Sequence, residues 1–127
     1  VKYAELPNGV RIPYVEQGDT SGLPLLLLHG LPAEDPSVEL DEIEASTLLV
    51  WGDQDQRCPR SEQEALLAGI ARSRLVVYAG AGHTAHAEEP ERFAADLVAF
   101  AQEVQDLFAQ RLSTAIGAHL QVGTQRW

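Results

Sequence analysis

The chain has 127 residues, of which 45% are hydrophobic and 22% charged, and its formal net charge is −10. These values are typical of one folded globular domain, and the acidic excess argues against nucleic acid and anionic membranes as partners. The single cysteine, Cys58, excludes an intramolecular disulfide and favours the reducing cytoplasm. No apolar run is long enough for a signal peptide or a membrane span, so we expect a cytoplasmic protein without a membrane partner.

The first predicted element is an antiparallel hairpin near the amino terminus. Its two runs, Lys2–Leu6 and Gly9–Gln17, flank the turn signal Asn8-Gly9. A continuous apolar run, Leu23–Leu28, then predicts a strand that is buried on both faces. This strand leads into the motif His-Gly-x-Pro at residues 29–32.

An acidic connector follows the motif, and its residues Asp35 and Pro36 predict a short helix that ends near Ile43. The apolar runs Thr47–Trp51 and Arg74–Ala79 then predict two further buried strands.

A helix over Glu62–Arg72 is predicted between these two strands. Ser61 and Glu64 have the spacing of a capping box, which marks its beginning.

Side chains with catalytic potential follow both strands directly. Asp53 and Asp55 come after the first strand, and His83 comes after the second, within Gly-Ala-Gly-His. A strand–loop–helix–strand–loop unit brings such residues to one edge of a sheet, so we expect a carboxylate to meet an imidazole there. The alternative is that the two aspartates serve only as turn and cap residues.

The combined pattern resembles the α/β-hydrolase superfamily: an apolar strand into His-Gly-x-Pro, a strand into Gly-x-x-Asp, a helix, and a strand into Gly-His with Glu-x-Pro downstream. The resemblance implies that Asp55 is the catalytic acid and His83 the general base. It also implies that the backbone N–H of Leu31, beside Gly30, binds the developing oxyanion. The implied activity is the hydrolysis of small carboxylic esters.

The nucleophile of that family is missing from its usual place. The family has a Gly-x-Ser-x-Gly elbow between the oxyanion loop and the acid strand, whereas this sequence contains no such motif. The chain therefore resembles an α/β-hydrolase that lacks its middle strands. Candidate replacements are Ser37, Ser46, Cys58 with a lowered pKa, or water activated directly by His83.

Metal-dependent hydrolysis is a further alternative. His83 and His86 are three residues apart, with Glu88 and Glu89 close by. The segment is interpreted as a loop that enters a helix, and no further histidine or cysteine is near. We therefore expect no metal and no other cofactor.

The carboxyl-terminal part of the chain predicts a long helix, Pro90–Leu112, with proline at its first position. Its apolar residues recur at spacings of three and four: Phe93, Leu97, Phe100, Val104, Leu107, Phe108 and Leu112. We interpret residues 1–127 as one domain, of which residues 101–127 form a helical extension and tail.

These elements predict an α/β fold: a three-layer sandwich around a short, mostly parallel sheet, like a truncated α/β-hydrolase. Two helices cover both faces of such a sheet only thinly, and the missing strands expose an apolar edge. We therefore expect a homodimer or higher homo-oligomer in which the terminal helix forms the interface. The rival to an esterase is a catalytically inactive hydrolase remnant that acts through self-association or partner binding.

Overall fold

The computed structural model describes residues 1–7, 9–18, 21–27 and 39–123 of the chain. These residues form a mixed α/β structure, as the sequence predicts, with two separate two-stranded sheets. In chain order the elements are β1 (Lys2–Glu5), β2 (Arg11–Tyr14), a 3₁₀ turn (Leu40–Glu42), β3 (Thr47–Gly52), α1 (Arg60–Gly69), β4 (Ser73–Tyr78), α2 (Ala85–Glu88) and α3 (Pro90–Gly123).

The predicted amino-terminal hairpin is confirmed. Strands β1 and β2 pair antiparallel, with Lys2 opposite Tyr14 and Glu5 opposite Arg11. Gly9 adopts a positive φ of 82°, which suits glycine in the tight turn between the strands. Every residue of both strands is exposed, so the hairpin adds nothing to the core of the described structure.

The prediction of a buried strand over Leu23–Leu28 is wrong for the residues that the structure describes. Residues 23–27 form no strand, and the side chains of Leu26 and Leu27 are 76% and 64% exposed. Pro24 explains part of this result, because proline has no N–H to donate to a central strand. Apolar composition alone does not supply the paired neighbours that a buried strand needs.

Several predicted features lie outside the described residues. They include the His-Gly-x-Pro motif with Gly30 and Leu31, the candidate nucleophile Ser37, and most of the helix predicted before Ile43. The described end of that connector is the 3₁₀ turn at Leu40–Glu42, and the Leu40 side chain packs close to Gly69 of α1.

The centre of the fold is the parallel pair of β3 and β4, which confirms the two other predicted strands but not their full burial. Most of their residues are half-buried, and only Trp51, Gly52 and Tyr78 are buried. The register places Thr47 opposite Ser73 and Gly52 opposite Tyr78. Helix α1 connects the strands and contacts both of them, as a parallel crossover requires. A two-stranded parallel sheet is compatible with the predicted three-layer sandwich but does not establish it.

The core lies around the carboxyl end of this sheet. Tyr78, Ala81 and Ala85 form its buried cluster, against which Val50, Val76 and Phe93 pack. Trp51, Leu66 and Ile70 are also buried. Because side chains alternate along a strand, Trp51 lies on the opposite face of the sheet from Val50.

Helix α1 begins differently from the prediction. It starts at Arg60 after Pro59, and no side chain caps its first turn. The capping box of Ser61 and Glu64 is not formed, because Ser61 lies inside the helix and Pro59 is at the N-cap position. Glu64 accepts a hydrogen bond of 2.8 Å from Arg60 one turn earlier. At the other end, the Ser73 hydroxyl donates to the carbonyl of Ile70 at 2.8 Å and so satisfies one of the free backbone acceptors.

Helix α3 begins at Pro90, as predicted, but continues beyond Leu112 to Gly123. Its first half is attached to the sheet by Phe93 and by an ion pair of 2.9 Å between Arg74 and Glu103. Although α3 has 34 residues, neither it nor another described helix has the apolar stretch needed to cross a bilayer.

Tyr78 links β4 to α3 and gives a test of this packing. Its side chain is fully buried, its hydroxyl donates to Asp96 Oδ2 at 2.7 Å, and Arg92 lies 3.9 Å from its ring centre. Burial, with the hydrogen bond to Asp96 and the negative charge there, raises the pKa of Tyr78 to about 12.

We expect the free energy of unfolding to fall between about pH 10 and pH 12, because the phenol ionises more easily in the unfolded chain. Denaturant titrations across this range, with tyrosinate absorbance recorded in parallel, measure the effect. The Tyr78→Phe variant should lose both the late tyrosinate step and this component of the decline. If the variant declines as steeply as the wild type, another group is responsible.

Candidate active site

The site is built where β3 and β4 end, because backbone hydrogen bonds join the two loops that follow them. The amide of Asp53 donates to the carbonyl of Tyr78 at 3.1 Å, and the amide of Gln54 donates to that of Ala81 at 2.9 Å. The Asp53 carboxylate accepts a bond of 2.7 Å from the amide of Gly80. Asp53 therefore stabilises the joined loops, in keeping with its interpretation as a turn residue.

Gly52 permits this close approach of the two loops. A Cβ atom at this position would lie 2.3 Å from the carbonyl oxygen of Ala81 and 2.4 Å from that of Gly82. Both obstacles are backbone atoms of the loop that carries His83, so a side chain would force that loop away.

Asp55 and His83, which are 28 residues apart in the sequence, meet across the joined loops. His83 Nδ1 lies 3.0 Å from Asp55 Oδ2, within hydrogen-bond distance. The carboxylate is nearly buried, with 5% of its side chain exposed, whereas the imidazole is 43% exposed. The structure therefore brings together the two residues that the sequence nominates as acid and base. Their catalytic roles stay predictions.

The second oxygen of Asp55 orients the carboxylate. Oδ1 accepts the backbone amides of Arg57 at 2.8 Å and Cys58 at 3.1 Å. Burial raises the pKa of the Asp55 carboxyl, but the hydrogen bonds from His83 and these amides outweigh burial, so the pKa lies below its usual value. Asp55 is consequently a fixed anion that faces the imidazole with Oδ2.

Glu88 holds the loop that carries His83, a role that the sequence analysis did not assign. Its carboxylate accepts the amide of Gly82 at 2.8 Å and both the amide and the hydroxyl of Thr84, at 3.2 and 3.0 Å. The bond from Gly82, followed by that from the Thr84 hydroxyl, lowers the pKa of Glu88. The sequence signal for this contact was Thr84, four residues before Glu88. This spacing is one residue longer than the three-residue spacing of a capping box.

Cys58, unlike His86, belongs to a group of three possible metal ligands with this pair. One donor atom each from Asp55, Cys58 and His83 lie within 4.8 Å of one another, which is a set that could hold a metal ion. His86 lies on α2 with its ring edge-on to Phe93 at a centroid distance of 5.9 Å. In the described part of the chain, His86 belongs to no such three-donor group.

The candidate nucleophiles can be compared by position. Ser46 precedes β3, whereas Asp55 follows it, and a strand of six residues spans roughly 20 Å, so Ser46 lies at the wrong end of the sheet. Cys58 is close to His83, but burial and the negative charges of Asp55 and Glu62 raise the pKa of its thiol, which disfavours a nucleophilic thiolate. Ser37 lies outside the described residues.

Part of the chain is similar to known hydrolases. A stretch of 54 residues, or 42% of this chain, matches bacterial enzymes of the α/β-hydrolase family. The relatives include the 2-hydroxy-6-oxononadienedioate/2-hydroxy-6-oxononatrienedioate hydrolase of Klebsiella pneumoniae and hydrolase 2 of that name from Pseudomonas putida, both 46% identical. The corresponding enzyme of Escherichia coli K12 is 43% identical.

The match covers 19% of each relative, so the chain spans only about a fifth of their length. No family model and no solved structure matches the chain. The resemblance to α/β-hydrolases inferred from the sequence motifs is therefore supported over this stretch.

The close contact at Gly52 predicts that the Gly52→Ala variant is strongly destabilised. We expect a loss of about 3 kcal/mol in the free energy of unfolding, because the added methyl group meets backbone atoms. Urea denaturation followed by tryptophan fluorescence measures the loss. Gly82→Ala is the matched control, because the nearest atom to its new methyl group is a side-chain atom, Oε1 of Glu88, at the longer distance of 3.2 Å. Equal losses for the two variants would contradict this account.

Proposed function

We propose that the chain carries the general-base pair of a hydrolase that acts on small carboxylic esters. The observation that carries this proposal is the 3.0 Å approach of His83 Nδ1 to an Asp55 carboxylate that two backbone amides already orient. The similarity of 54 residues to named hydrolases supports the same class of activity. Burial of the Asp55 carboxylate beside an exposed imidazole costs desolvation energy, which a residue with a purely structural role would not need.

The chemistry follows from the proton positions in this pair. With Nδ1–H donated to Asp55, the lone pair of His83 Nε2 is free to accept a proton from the attacking group. That group then adds to the carbonyl carbon of the substrate, and the carboxylate of Asp55 stabilises the imidazolium that forms. The imidazolium next donates its proton to the leaving alkoxide, which restores the neutral base.

Water is the attacking group that requires no further residue of the described chain. Ser37 stays the alternative attacking group predicted from the sequence. The N–H of Leu31, beside Gly30, stays the predicted oxyanion donor. Direct attack by water forgoes a covalent intermediate, so we expect slow turnover.

The names of the relatives favour a second substrate class. Those enzymes are named for 2-hydroxy-6-oxononadienedioate, a dienedioate in which a ketone carbonyl would be attacked and a carbon–carbon bond broken. The same acid–base pair suits both reactions, because each begins with addition to a carbonyl carbon. Assays with p-nitrophenyl acetate and with the dienedioate would separate the two classes.

The pair can be tested with matched variants. We expect His83→Gln and Asp55→Asn each to lower kcat/KM by roughly 10²- to 10⁴-fold, because general-base catalysis is lost. His86→Gln is the histidine control, since its ring packs on Phe93, and Asp106→Asn is the exposed aspartate control on α3. The controls should stay within about twofold of the wild type. Activity that survives His83→Gln would exclude the proposed mechanism.

A rival function, self-association, is favoured by the exposed part of α3. Its apolar stripe is half-buried as far as Val104 and then uncovered, with Leu107 53%, Phe108 69% and Leu112 52% exposed. Within the described residues, β3 and β4 also leave the outer edge of each strand unpaired. We propose that a second copy of the chain covers this stripe, giving a homodimer.

Light scattering at micromolar concentration tests the dimer. The double variant Leu107→Asp/Phe108→Asp should be monomeric, because charges would replace the apolar contact. Ala95→Asp is the control, since helical periodicity places Ala95 on the opposite side of α3. A monomeric wild type would refute the dimer without bearing on the acid–base pair.

A further inference from the structure

Three side chains of different chemistry converge at the carboxyl end of the parallel sheet. The donor atoms of Asp55, Cys58 and His83 all lie within 4.8 Å of one another. Asp55 and Cys58 belong to the loop after β3, whereas His83 belongs to the loop after β4. The strand register therefore assembles a carboxylate, a thiol and an imidazole at one point.

This donor set suits zinc. Zinc binds thiolate sulfur at about 2.3 Å and imidazole nitrogen or carboxylate oxygen at about 2.0 to 2.2 Å. Tetrahedral angles at these bond lengths separate two donor atoms by roughly 3.5 Å. A spread of at most 4.8 Å therefore requires the donor atoms to come closer together, which a change of side-chain rotamer can supply.

The surroundings of the three residues favour an ion as well. The two backbone amides occupy Oδ1 of Asp55 and leave Oδ2 facing His83. Only 5% of the Asp55 side chain is exposed, whereas 43% of the His83 side chain is, so an ion can approach from the imidazole side. Three protein donors leave the fourth tetrahedral position to water, which is the pattern of an open zinc site.

We propose that Asp55, Cys58 and His83 bind one zinc ion, and that this ion and the Asp55–His83 hydrogen bond exclude each other. Oδ2 and Nδ1 lie 3.0 Å apart, and the ion takes the place of the proton between them. On binding, the Cys58 thiol releases its proton to solvent and becomes a thiolate ligand. Nδ1 becomes a ligand when the proton of the neutral imidazole is carried by Nε2.

The ion would therefore remove the lone pair of Nε2 on which general-base catalysis depends. Zinc binding would therefore inhibit general-base catalysis by Asp55 and His83. This regulatory consequence rests on the proposed hydrolase function, whereas the ion site itself does not. The two are tested by separate measurements.

The ion site is tested by titrating the chelator-treated full chain with Co²⁺, followed by displacement with Zn²⁺. We expect a thiolate-to-cobalt charge-transfer band that saturates at one ion per chain and disappears when zinc is added. Mg²⁺ and Ca²⁺ should not displace the cobalt, because they prefer sites made only of oxygen donors.

Variants assign the ligands. Cys58→Ser should abolish the charge-transfer band. Asp55→Asn and His83→Gln should each weaken Zn²⁺ binding by more than about 100-fold, because loss of a ligand costs more affinity than loss of a residue that only orients a ligand. His86→Gln is the matched control and should bind zinc like the wild type. Circular dichroism checks that each variant is folded. A wild type without the band, or a Cys58→Ser variant that retains wild-type zinc affinity, overturns the proposal.

The exclusion of the hydrogen bond by the ion has its own readout. The ¹⁵N chemical shifts of the His83 ring should show that the proton transfers from Nδ1 to Nε2 as zinc binds. If the wild type is an active hydrolase, zinc should inhibit it over the concentration range in which it binds. Zinc-stimulated activity, or a ring that keeps its proton on Nδ1, would overturn the exclusion. An inactive wild type that still binds zinc would refute only the hydrolase function.

Discussion

The close parallel pairing of β3 and β4 is the constraint on which the rest of the site depends. Gly52 lies at the end of β3 with no space for a side chain, so the following loop can run against the carbonyls of Ala81 and Gly82. The hydrogen bonds of Asp53 and Gln54 then join the two loops. At the end of β4, the hydroxyl of Tyr78 donates a hydrogen bond to Asp96 of α3. The 3.0 Å contact between Asp55 and His83 is a consequence of this backbone arrangement.

The two oxygens of the Asp55 carboxylate make different contacts, and this difference matters both to the proposed base pair and to the proposed zinc site. Oδ1 is engaged by backbone amides, which set the orientation of the group, and Oδ2 faces His83. In the proposed hydrolase, a proton shared with Asp55 makes the imidazole of His83 a base, whereas in the proposed zinc site an ion held with Cys58 makes it a ligand. Both uses need the same preorganised carboxylate, since either a cation or an imidazolium gains most from an anion that is already in place.

The errors in the sequence prediction have identifiable physical causes. The run at residues 23–27 is apolar but includes Pro24 and lacks a paired strand, so composition overstated its burial. The predicted capping box is absent because the helix starts at Arg60, which places Ser61 inside the first turn and not at the N-cap position. The contact of Glu88 with the loop that carries His83, and the closeness of Cys58 to His83, were not predicted because each depends on which loops face each other. By contrast, β3, β4, the hairpin and the start of α3 were predicted correctly, since alternation, turn residues and Pro90 act locally.

The sequence by itself determined the mixed α/β class, two strands that end beside an acid and a histidine, and the start of a long helix at Pro90. Those features depend on patterns within a few residues, which any reader of the chain can see. Only the tertiary structure decided that Oδ2 of Asp55 faces His83, that a donor atom of Cys58 lies within 4.8 Å of both, and that the apolar side chains of α3 are exposed from Leu107 to Leu112. Asp55 and His83 are 28 residues apart, and they meet because the parallel pairing of β3 and β4 places the loops after both strands at the same edge of the sheet.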